Sequence, residues 1–161
     1  GYKLFGIYKS ADNGLTWAKC KDITSHLYSF LVQVGLTLKK DGYVYMIGTQ
    51  TGEDSNAKLA RFHETDIENK TAYEYWNAST NQWIKGNENE ATVIKEDKVG
   101  ELSFIYNETH KKWIIAYFNA DRYNITMRTA EDITGPWSEP YELANVESMP
   151  NCMVLTFIRC R

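Results

Sequence analysis

Short apolar runs separated by turn residues organise this chain, and they occur twice in the same order. The first unit predicts strands at 33–40, 43–49, 58–62 and 73–76, with Asp41-Gly42 as its first turn. The second unit predicts strands at 101–106, 113–118 and 125–129, followed by a closing segment at 135–141. Four short strands in roughly 60 to 70 residues are typical of a β-propeller blade with long loops. The pattern therefore predicts an all-β protein built from a repeated blade.

The second strand of each unit distinguishes between two all-β architectures. Residues 43–49 and 113–118 are apolar at nearly every position and do not alternate with polar residues. Because alternation is absent, both faces of these strands are expected to be buried. A blade packed between two other blades provides that environment, whereas a two-sheet sandwich with one face in water would show cleaner alternation. The pattern therefore favours a propeller over a sandwich.

The number of blades indicates an incomplete propeller. Residues 1–25 supply the outer hairpin of one blade, residues 30–90 a full blade and residues 91–145 another. These make roughly two and a half blades, fewer than the four of the smallest closed propellers. We therefore predict a propeller fragment over residues 1–148. Its outer blade faces are expected to be apolar and exposed, and so to favour association.

A turn motif near the start of the chain supports the same architecture. Residues 10–17 match the pattern Ser-x-Asp-x-Gly-x-Thr-Trp, the Asp-box hairpin of sialidase-like propellers, through Ser10, Asp12, Gly14, Thr16 and Trp17. The Ser and Asp side chains can hydrogen-bond the turn backbone, Gly supplies a positive φ, and Trp is expected to pack against neighbouring strands. The motif predicts a structural clasp that carries no chemistry.

Charge and composition exclude two classes of partner. The 161 residues carry a formal net charge of −3, so the chain offers no basic field for nucleic acid. It also has no apolar run of about 20 residues that would span a membrane. The five Trp, eleven Tyr and six Phe suit both strand packing and stacking on sugar rings.

Cysteine and histidine spacing predicts neither disulfides nor a metal site, and no cofactor is expected. The residues concerned are Cys20, Cys152, Cys160, His26, His63 and His110. Asn-x-Ser/Thr sequons begin at Asn69, Asn77, Asn107 and Asn124, whereas about one or two would arise by chance. The excess favours a secreted or extracytoplasmic protein. No signal peptide is visible, because residues 1–9 already read as a strand.

Several segments, in order, resemble one known family. They are Val99-Gly-Glu-Leu-Ser-Phe-Ile-Tyr-Asn107, Lys112-Trp-Ile-Ile-Ala-Tyr117, Met127-Arg-Thr-Ala130 and Thr134-Gly-Pro-Trp-Ser-Glu-Pro140, with Asp41-Gly-Tyr-Val-Tyr45 and Leu59-Ala-Arg61 before them. Together they resemble the later blades of DUF4185, a family of domains of unknown function, over residues 1–148. Thr-Gly-Pro-Trp also occurs in the related glycoside hydrolase family GH43. The resemblance implies a five-bladed propeller that binds polysaccharide or oligosaccharide. Some members are endo-D-arabinanases that cut furanose polymers of the mycobacterial envelope, and activity across the rest of the family is unsettled.

Such hydrolysis needs two carboxyl groups, one to protonate the leaving oxygen and one to activate water or attack the anomeric carbon. Glu101 is the acid at the start of a predicted inner strand, where it would point at the central funnel. Burial there would raise its pKa and suit it to the acid role; the alternative is a strand-end Glu in a salt link or in solvent. The partner is expected in an earlier blade, in a Gly-Asp-Thr-Phe-like stretch of the family. These 161 residues lack that stretch, so the chain by itself is expected to be inactive.

Four further residues are candidates for lesser roles. Gln33 and Tyr106 lie on predicted inner strands and could touch sugar, with core packing or capping as the alternative. Arg61 and Arg128 occupy matching third strands, and a residue repeated in each blade predicts a tie between blades.

Two classes of function therefore stay open. The first is a glycoside hydrolase acting on a furanose-containing glycan. The second is a non-catalytic glycan-binding or scaffold propeller that keeps the funnel but lacks the carboxylate pair.

The last segment, 149–161, breaks the strand pattern. Read from the third base of Met149, the genetic code allows Ala-Gln-Leu-Tyr-Gly-Ala-Tyr-Ile-His-Pro-Leu, which resembles the opening of the family's next blade. We therefore expect a frameshift in this tail. A nucleotide sequence in which no one-base change restores an open frame into another blade would refute it.

Overall fold

The structure is a computed structural model that describes residues 8–20, 33–38, 41–50, 55–86, 88, 91 and 94–145. Within these ranges the chain forms β-strands and two short 3₁₀ turns, Glu64–Asp66 and Lys70–Ala72, and no α-helix. The strands are β1 (Tyr8–Lys9), β2 (Ala18–Lys19), β3 (Gln33–Leu38), β4 (Tyr43–Thr49), β5 (Ser55–His63), β6 (Glu74–Asn77), β7 (Gln82–Lys85), β8 (Ile94–Asn107), β9 (Lys112–Asn119), β10 (Asn124–Ala130) and β11 (Tyr141–Asn145). The predicted all-β class is confirmed. In the same ranges, no helix has the length and apolar character needed to cross a membrane.

Strands β3 to β11 form one antiparallel sheet of nine strands. Its order is β11-β10-β9-β8-β5-β4-β3, with β6 beside β5 and β7 beside β6. Two groups are visible in this order: a first group, β3 to β7, and a second group, β8 to β11. They correspond to the two repeated units of the sequence. Strands β1 and β2 form a separate hairpin.

Three features of the strand assignment differ most from the predicted ones. The first group contains an additional strand, β7, which pairs Trp83 with Trp76 of β6. Strand β8 begins at Ile94 rather than at residue 101. The predicted closing segment becomes a strand only from Tyr141 onward, because Pro136 and Pro140 have no N–H group to donate to a ladder.

Strand β8 connects the two groups. Its first part lies beside β5, with Ile94 opposite Ala57, and its second part lies beside β9. Strand β3 also packs against β8, and a Cβ added to Gly35 would lie 2.9 Å from Cδ1 of Phe104. A larger residue at position 35 would therefore push the two strands apart. The first strands of the two groups thus lie side by side, as the inner strands of neighbouring blades do.

The main hydrophobic core lies between the two groups. It includes Tyr45, Ile47 and Leu59 from the first group and Phe104, Trp113, Ile115 and Tyr117 from the second. A smaller core covers another face of the first group and includes Met46, Ala60, Phe62, Tyr73 and Tyr75. Strand β4 therefore buries Ile47 in one core and Met46 in the other. The predicted two-sided burial of the second strand is confirmed for the first group.

The second group also carries an apolar face outside the main core. Its side chains alternate along β8, β9 and β10 with the core residues, and each is only partly buried: Ile105, Ile114, Phe118, Ile125 and Met127. Ile105 lies opposite Ile114, and Phe118 lies opposite Ile125, so they form a continuous surface. An exposed apolar blade face was expected from the sequence.

Candidate active site

Strand β8 contains a β-bulge at Gly100 and Glu101. The register of β8 and β9 shifts there, so that both residues lie opposite Phe118 alone. A Cβ added to Gly100 would lie 3.1 Å from Cδ1 of Phe118, which explains why glycine suits this close approach. Bulges redirect side chains and are frequent beside active sites. Glu101 is exposed, so the burial expected from the sequence is wrong for the described chain.

The turn between β9 and β10 is fixed next to this bulge. Oδ1 of Asn119 accepts hydrogen bonds from the backbone N–H groups of Asp121 at 3.1 Å and Arg122 at 3.2 Å. The N–H of Ala120 donates to the carbonyl of Lys98 at 3.0 Å, and the N–H of Lys98 donates to Oδ2 of Asp121 at 3.2 Å. The turn is therefore attached to β8 immediately before the bulge.

Two large side chains of this turn reach solvent. The side chain of Arg122 is 51% exposed, and Tyr123 is 57% exposed. The Tyr123 ring meets the ring of Phe118 edge-on, with centroids 5.5 Å apart and planes at 80°. Because Phe118 contacts both Tyr123 and Gly100, the turn and Glu101 lie at the same end of the second group.

A buried ionic cluster lies just before the bulge. Asp97 is only 4% exposed, and its Oδ2 accepts hydrogen bonds from Nη2 of Arg128 at 2.6 Å and from Nε at 3.2 Å. The hydroxyl of Tyr117 donates to the same oxygen. Nη1 of Arg128 donates to the carbonyl of Ser138 at 2.9 Å. The cluster therefore ties the start of β8 to the third strand and the closing segment of the second group.

The protonation states of Asp97 and Tyr117 suit a contact with the Arg128 cation. Burial of the Asp97 carboxyl opposes ionisation, but hydrogen bonds from Tyr117 and Arg128 outweigh that effect and lower the pKa of Asp97. Burial raises the pKa of Tyr117, and its hydrogen bond to Asp97 raises that pKa further. Asp97 thus stays ionised and Tyr117 neutral near neutral pH. A pair closed off from solvent in this way holds structure rather than substrate.

The sequence pattern predicts no role for Asp97. It lies in the charged run Lys95-Glu-Asp-Lys98, which is typical of a solvated loop. In the structure, exposed and buried side chains alternate here as in a strand: Glu96 and Lys98 are exposed, and Asp97 and Val99 are buried. Hydrophobicity does not show this alternation, because three of the four residues are charged.

Tyr106, one of the other two predicted sugar contacts, does not lie beside Glu101. Tyr106 is partly buried, and its ring lies 5.2 Å from that of Trp113, edge-on against the main core. It is five residues further along β8, about 16 Å at ~3.3 Å per residue. Gln33 pairs with Thr49 at the start of β3, and its side chain lies outside the described residues.

The two arginines of the third strands act differently. Nε of Arg61 lies 2.7 Å from Oε2 of Glu74, and its guanidinium carbon lies 4.4 Å and 4.2 Å from the ring centroids of Tyr43 and Trp83. All three partners belong to the first group, so the predicted tie between blades is wrong for these contacts of Arg61. Arg128 instead donates hydrogen bonds to Asp97, in the part of β8 that leads from the first group to the second.

The hairpin of β1 and β2 is closed by its own side chains. The Asp12 carboxylate accepts hydrogen bonds from the N–H of Thr16 at 2.8 Å and from its hydroxyl at 2.5 Å. Oγ of Ser10 accepts a hydrogen bond from the N–H of Gly14 at 2.8 Å, and Gly14 has φ of 89°. Nε1 of Trp17 donates to the carbonyl of Gly14 at 3.0 Å. Trp17 is 63% exposed, so its expected packing against neighbouring strands is wrong; the indole lies over its own turn instead.

Asp12 is expected to titrate well below an ordinary aspartate. Hydrogen bonds from Thr16 lower its pKa from 3.8 to about 2. Because the folded pKa lies below the unfolded one, this contribution to hairpin stability is present above about pH 4 and is lost as the pH falls towards 2. The carboxyl carbon shift of Asp12, followed by NMR, gives the midpoint. Thr16→Val, which removes one donor, should raise that midpoint, and a wild-type midpoint near 3.8 would contradict the assignment.

The four sequons are not equally accessible. Asn77 is 6% and Asn124 is 3% exposed. Oδ1 of Asn77 accepts from the N–H of Ser79 at 2.9 Å, and Nδ2 of Asn124 donates to Glu142 at 2.6 Å. Among the four, Asn69 is exposed and Asn107 is partly buried. Within the described part of the chain, no three His, Cys, Asp or Glu side chains gather as metal ligands would.

Fold and site together define an all-β, propeller-type chain with an exposed carboxylate at a bulge on an inner strand. The chain belongs to DUF4185, a domain of unknown function, whose family model matches residues 3–155. The match continues to residue 155, inside the segment whose pattern suggested a frameshift.

Two solved structures that resemble the chain are a candidate hydrolase and a galactosidase. The chain resembles a candidate hydrolase from Bacteroides ovatus ATCC 8483 with a TM-score of 0.53 and 15% identity, over 70% of this chain and 29% of that one. It also resembles a GH43 β-1,3-galactosidase with a TM-score of 0.43 and 16% identity, over 69% of this chain and 24% of that one. The chain thus spans less than a third of either protein. No curated protein matches it.

Proposed function

We propose that this chain is part of a glycoside hydrolase that cleaves a furanose-containing glycan, with Glu101 as the general acid. The observation that carries the proposal is the exposed Glu101 carboxyl at a bulge on β8, beside a turn that presents Arg122 and Tyr123. A carboxyl that protonates a leaving oxygen must reach the glycosidic bond, and Glu101 is open to a ligand. Membership of DUF4185 and the fold similarity to a candidate hydrolase support the same class.

The exposure of Glu101 is compatible with the acid role. In an open site a bound glycan displaces water from the carboxyl that faces it, so the acid needs no burial in the unliganded protein. The second carboxylate is expected from another part of the protein. Asp97, four residues before Glu101, does not serve, because it is buried and held by Arg128 and Tyr117.

Incubation of the full protein with arabinan tests this proposal. Release of oligosaccharides, detected by chromatography, is expected from arabinan and not from a galactan of similar length. If neither polymer is cut, or if Glu101→Gln leaves cleavage unchanged, the proposed function is wrong.

A non-catalytic glycan-binding propeller is the second candidate. It is favoured by the burial of Asp97, which keeps this carboxyl of β8 out of reach of a ligand. This candidate predicts that arabinan binds and is recovered intact.

Two further features belong to the same proposal. A polymeric glycan is met outside the cytoplasm, so we place the protein in a secreted or extracytoplasmic setting, which the exposed sequon at Asn69 supports. We also assign the hairpin 8–19 to the Asp-box class. The hydrogen bonds of Asp12 with Thr16 and of Ser10 with Gly14 support that assignment.

A further inference from the structure

Tyr123 combines two features that its turn does not require. It has φ of 50°, a left-handed conformation that is uncommon for non-glycine residues and suits asparagine better than an aromatic residue. It is also 57% exposed. In the described part of the chain, the other non-glycine residues with positive φ are Asn13, Asn81 and Lys111, so Tyr123 alone among them brings a ring. Unusual backbone positions that persist cluster at ligand sites.

The ring is fixed relative to the bulge. Phe118 lies under Gly100, where an added Cβ would be 3.1 Å from Cδ1 of Phe118. The same Phe118 ring meets the Tyr123 ring at 5.5 Å and 80°. An edge-on contact of this kind holds an aromatic ring by one side and leaves the remainder available. Tyr123 is therefore positioned by the residue that also shapes the bulge of Glu101.

The residues next to Tyr123 along its turn are polar. Arg122 precedes Tyr123; its side chain is 51% exposed, and its Nε lies 3.9 Å from Oδ1 of Asp97. The ion pair of Lys98 with Asp121, at 3.7 Å, lies beside the turn. One side of the ring borders the apolar face of the second group through Phe118, whereas the turn that carries the ring presents charged side chains. A sugar presents an apolar C–H face for an aromatic ring together with hydroxyl groups for charged donors and acceptors. The mixture of one ring with charges of both signs therefore fits a glycan.

We propose that Tyr123 is a stacking platform for a sugar ring of a neutral glycan, next to Glu101, with Arg122 as a donor to its hydroxyl groups. This inference rests on the proposed function, because it gives the site of Glu101 a subsite for the neighbouring sugar. Tyr123 is a binding residue in this role and takes no part in proton transfer.

Three substitutions test the platform by calorimetry with a linear arabinofuranose oligosaccharide. Tyr123→Asn removes the ring and suits the positive φ, so folding should be kept; it is expected to weaken binding about tenfold. Tyr123→Phe keeps the ring and should stay within about twofold of the original affinity. Tyr141→Asn is the matched control, because Tyr141 is 63% exposed on the edge strand β11, and it should leave affinity unchanged.

Three results overturn the platform: no binding by the unmodified protein, an unchanged affinity for Tyr123→Asn, or equal losses for Tyr123→Asn and Tyr141→Asn. Cleavage of arabinan is measured separately. If the oligosaccharide binds through Tyr123 and is not cut, the platform holds and the hydrolase fails. If arabinan is cut and Tyr123→Asn binds as well as the original, the hydrolase holds and the platform fails.

Discussion

In the full-length protein, Glu101→Gln is expected to lower the rate of arabinan hydrolysis by about 10² to 10⁴. Gln has nearly the same shape as Glu but has no acidic proton to give to the leaving oxygen. The loss should therefore appear in kcat more than in KM. An aryl arabinofuranoside with a good leaving group needs less protonation, so its hydrolysis should fall much less. The ratio of the two losses is the measurement that identifies a general acid.

Because Glu101 is exposed, the substitution should not disturb the core, and a loss of rate can be assigned to the missing acid rather than to misfolding. Glu96→Gln is a matched control: Glu96 is an exposed acid of the same strand on the other side of Asp97, and its side chain is 79% exposed. The rate at which the Glu96→Gln variant hydrolyses arabinan should be unchanged. Equal losses on both substrates for Glu101→Gln would instead assign Glu101 to binding or structure.

The fold was largely predictable because each strand carries its own signal. Alternation, turn residues and the unbroken apolar runs of β4 and β9 all depend on neighbours in the sequence. The early start of β8, by contrast, depends on distant residues. Strand β8 begins seven residues early because the Asp97 carboxylate is balanced by the Arg128 cation and accepts a hydrogen bond from Tyr117. These two partners lie 31 and 20 positions further along the sequence. The residues 95–98 themselves do not indicate that Asp97 has these partners.

The site was less predictable for the same reason. The sequence placed Glu101 at the entry of an inner strand, and the bulge lies there. It did not predict that Glu101 would be exposed, because burial at that point depends on a register shift opposite Phe118. Tyr123 was missed because its turn becomes part of the site only through Phe118, which lies on the preceding strand. Trp17 shows the converse, since its indole bonds to its own turn through Gly14 rather than to a neighbouring strand.

Arg128→Met is expected to lower the free energy of unfolding by about 3 kcal/mol, because the buried Asp97 carboxylate loses the guanidinium that hydrogen-bonds it. Its remaining cationic partner in the described part of the chain is then Arg122, whose Nε lies 3.9 Å from Oδ1 of Asp97. The side chains of Arg128 and Asp97 are 5% and 4% exposed. Arg61→Met is the matched control at the corresponding third strand, where Arg61 and Glu74 are 22% and 20% exposed. Water can reach that pair after the substitution, so the loss should be about 1 kcal/mol. Urea unfolding at neutral pH measures both.

Two further measurements separate charge from packing in this cluster. Adding Asp97→Asn to Arg128→Met should recover part of the loss, because the second change removes the buried charge that Arg128 had balanced. The pKa of Asp97 is lowered in the folded protein, so the stability that it contributes is present above the unfolded value of about 3.9. That contribution is lost as the pH falls through the lowered folded pKa, and the difference between wild type and Arg128→Met should shrink in the same range. A difference that is independent of pH, with no recovery in the double variant, would show that Arg128 acts through packing alone.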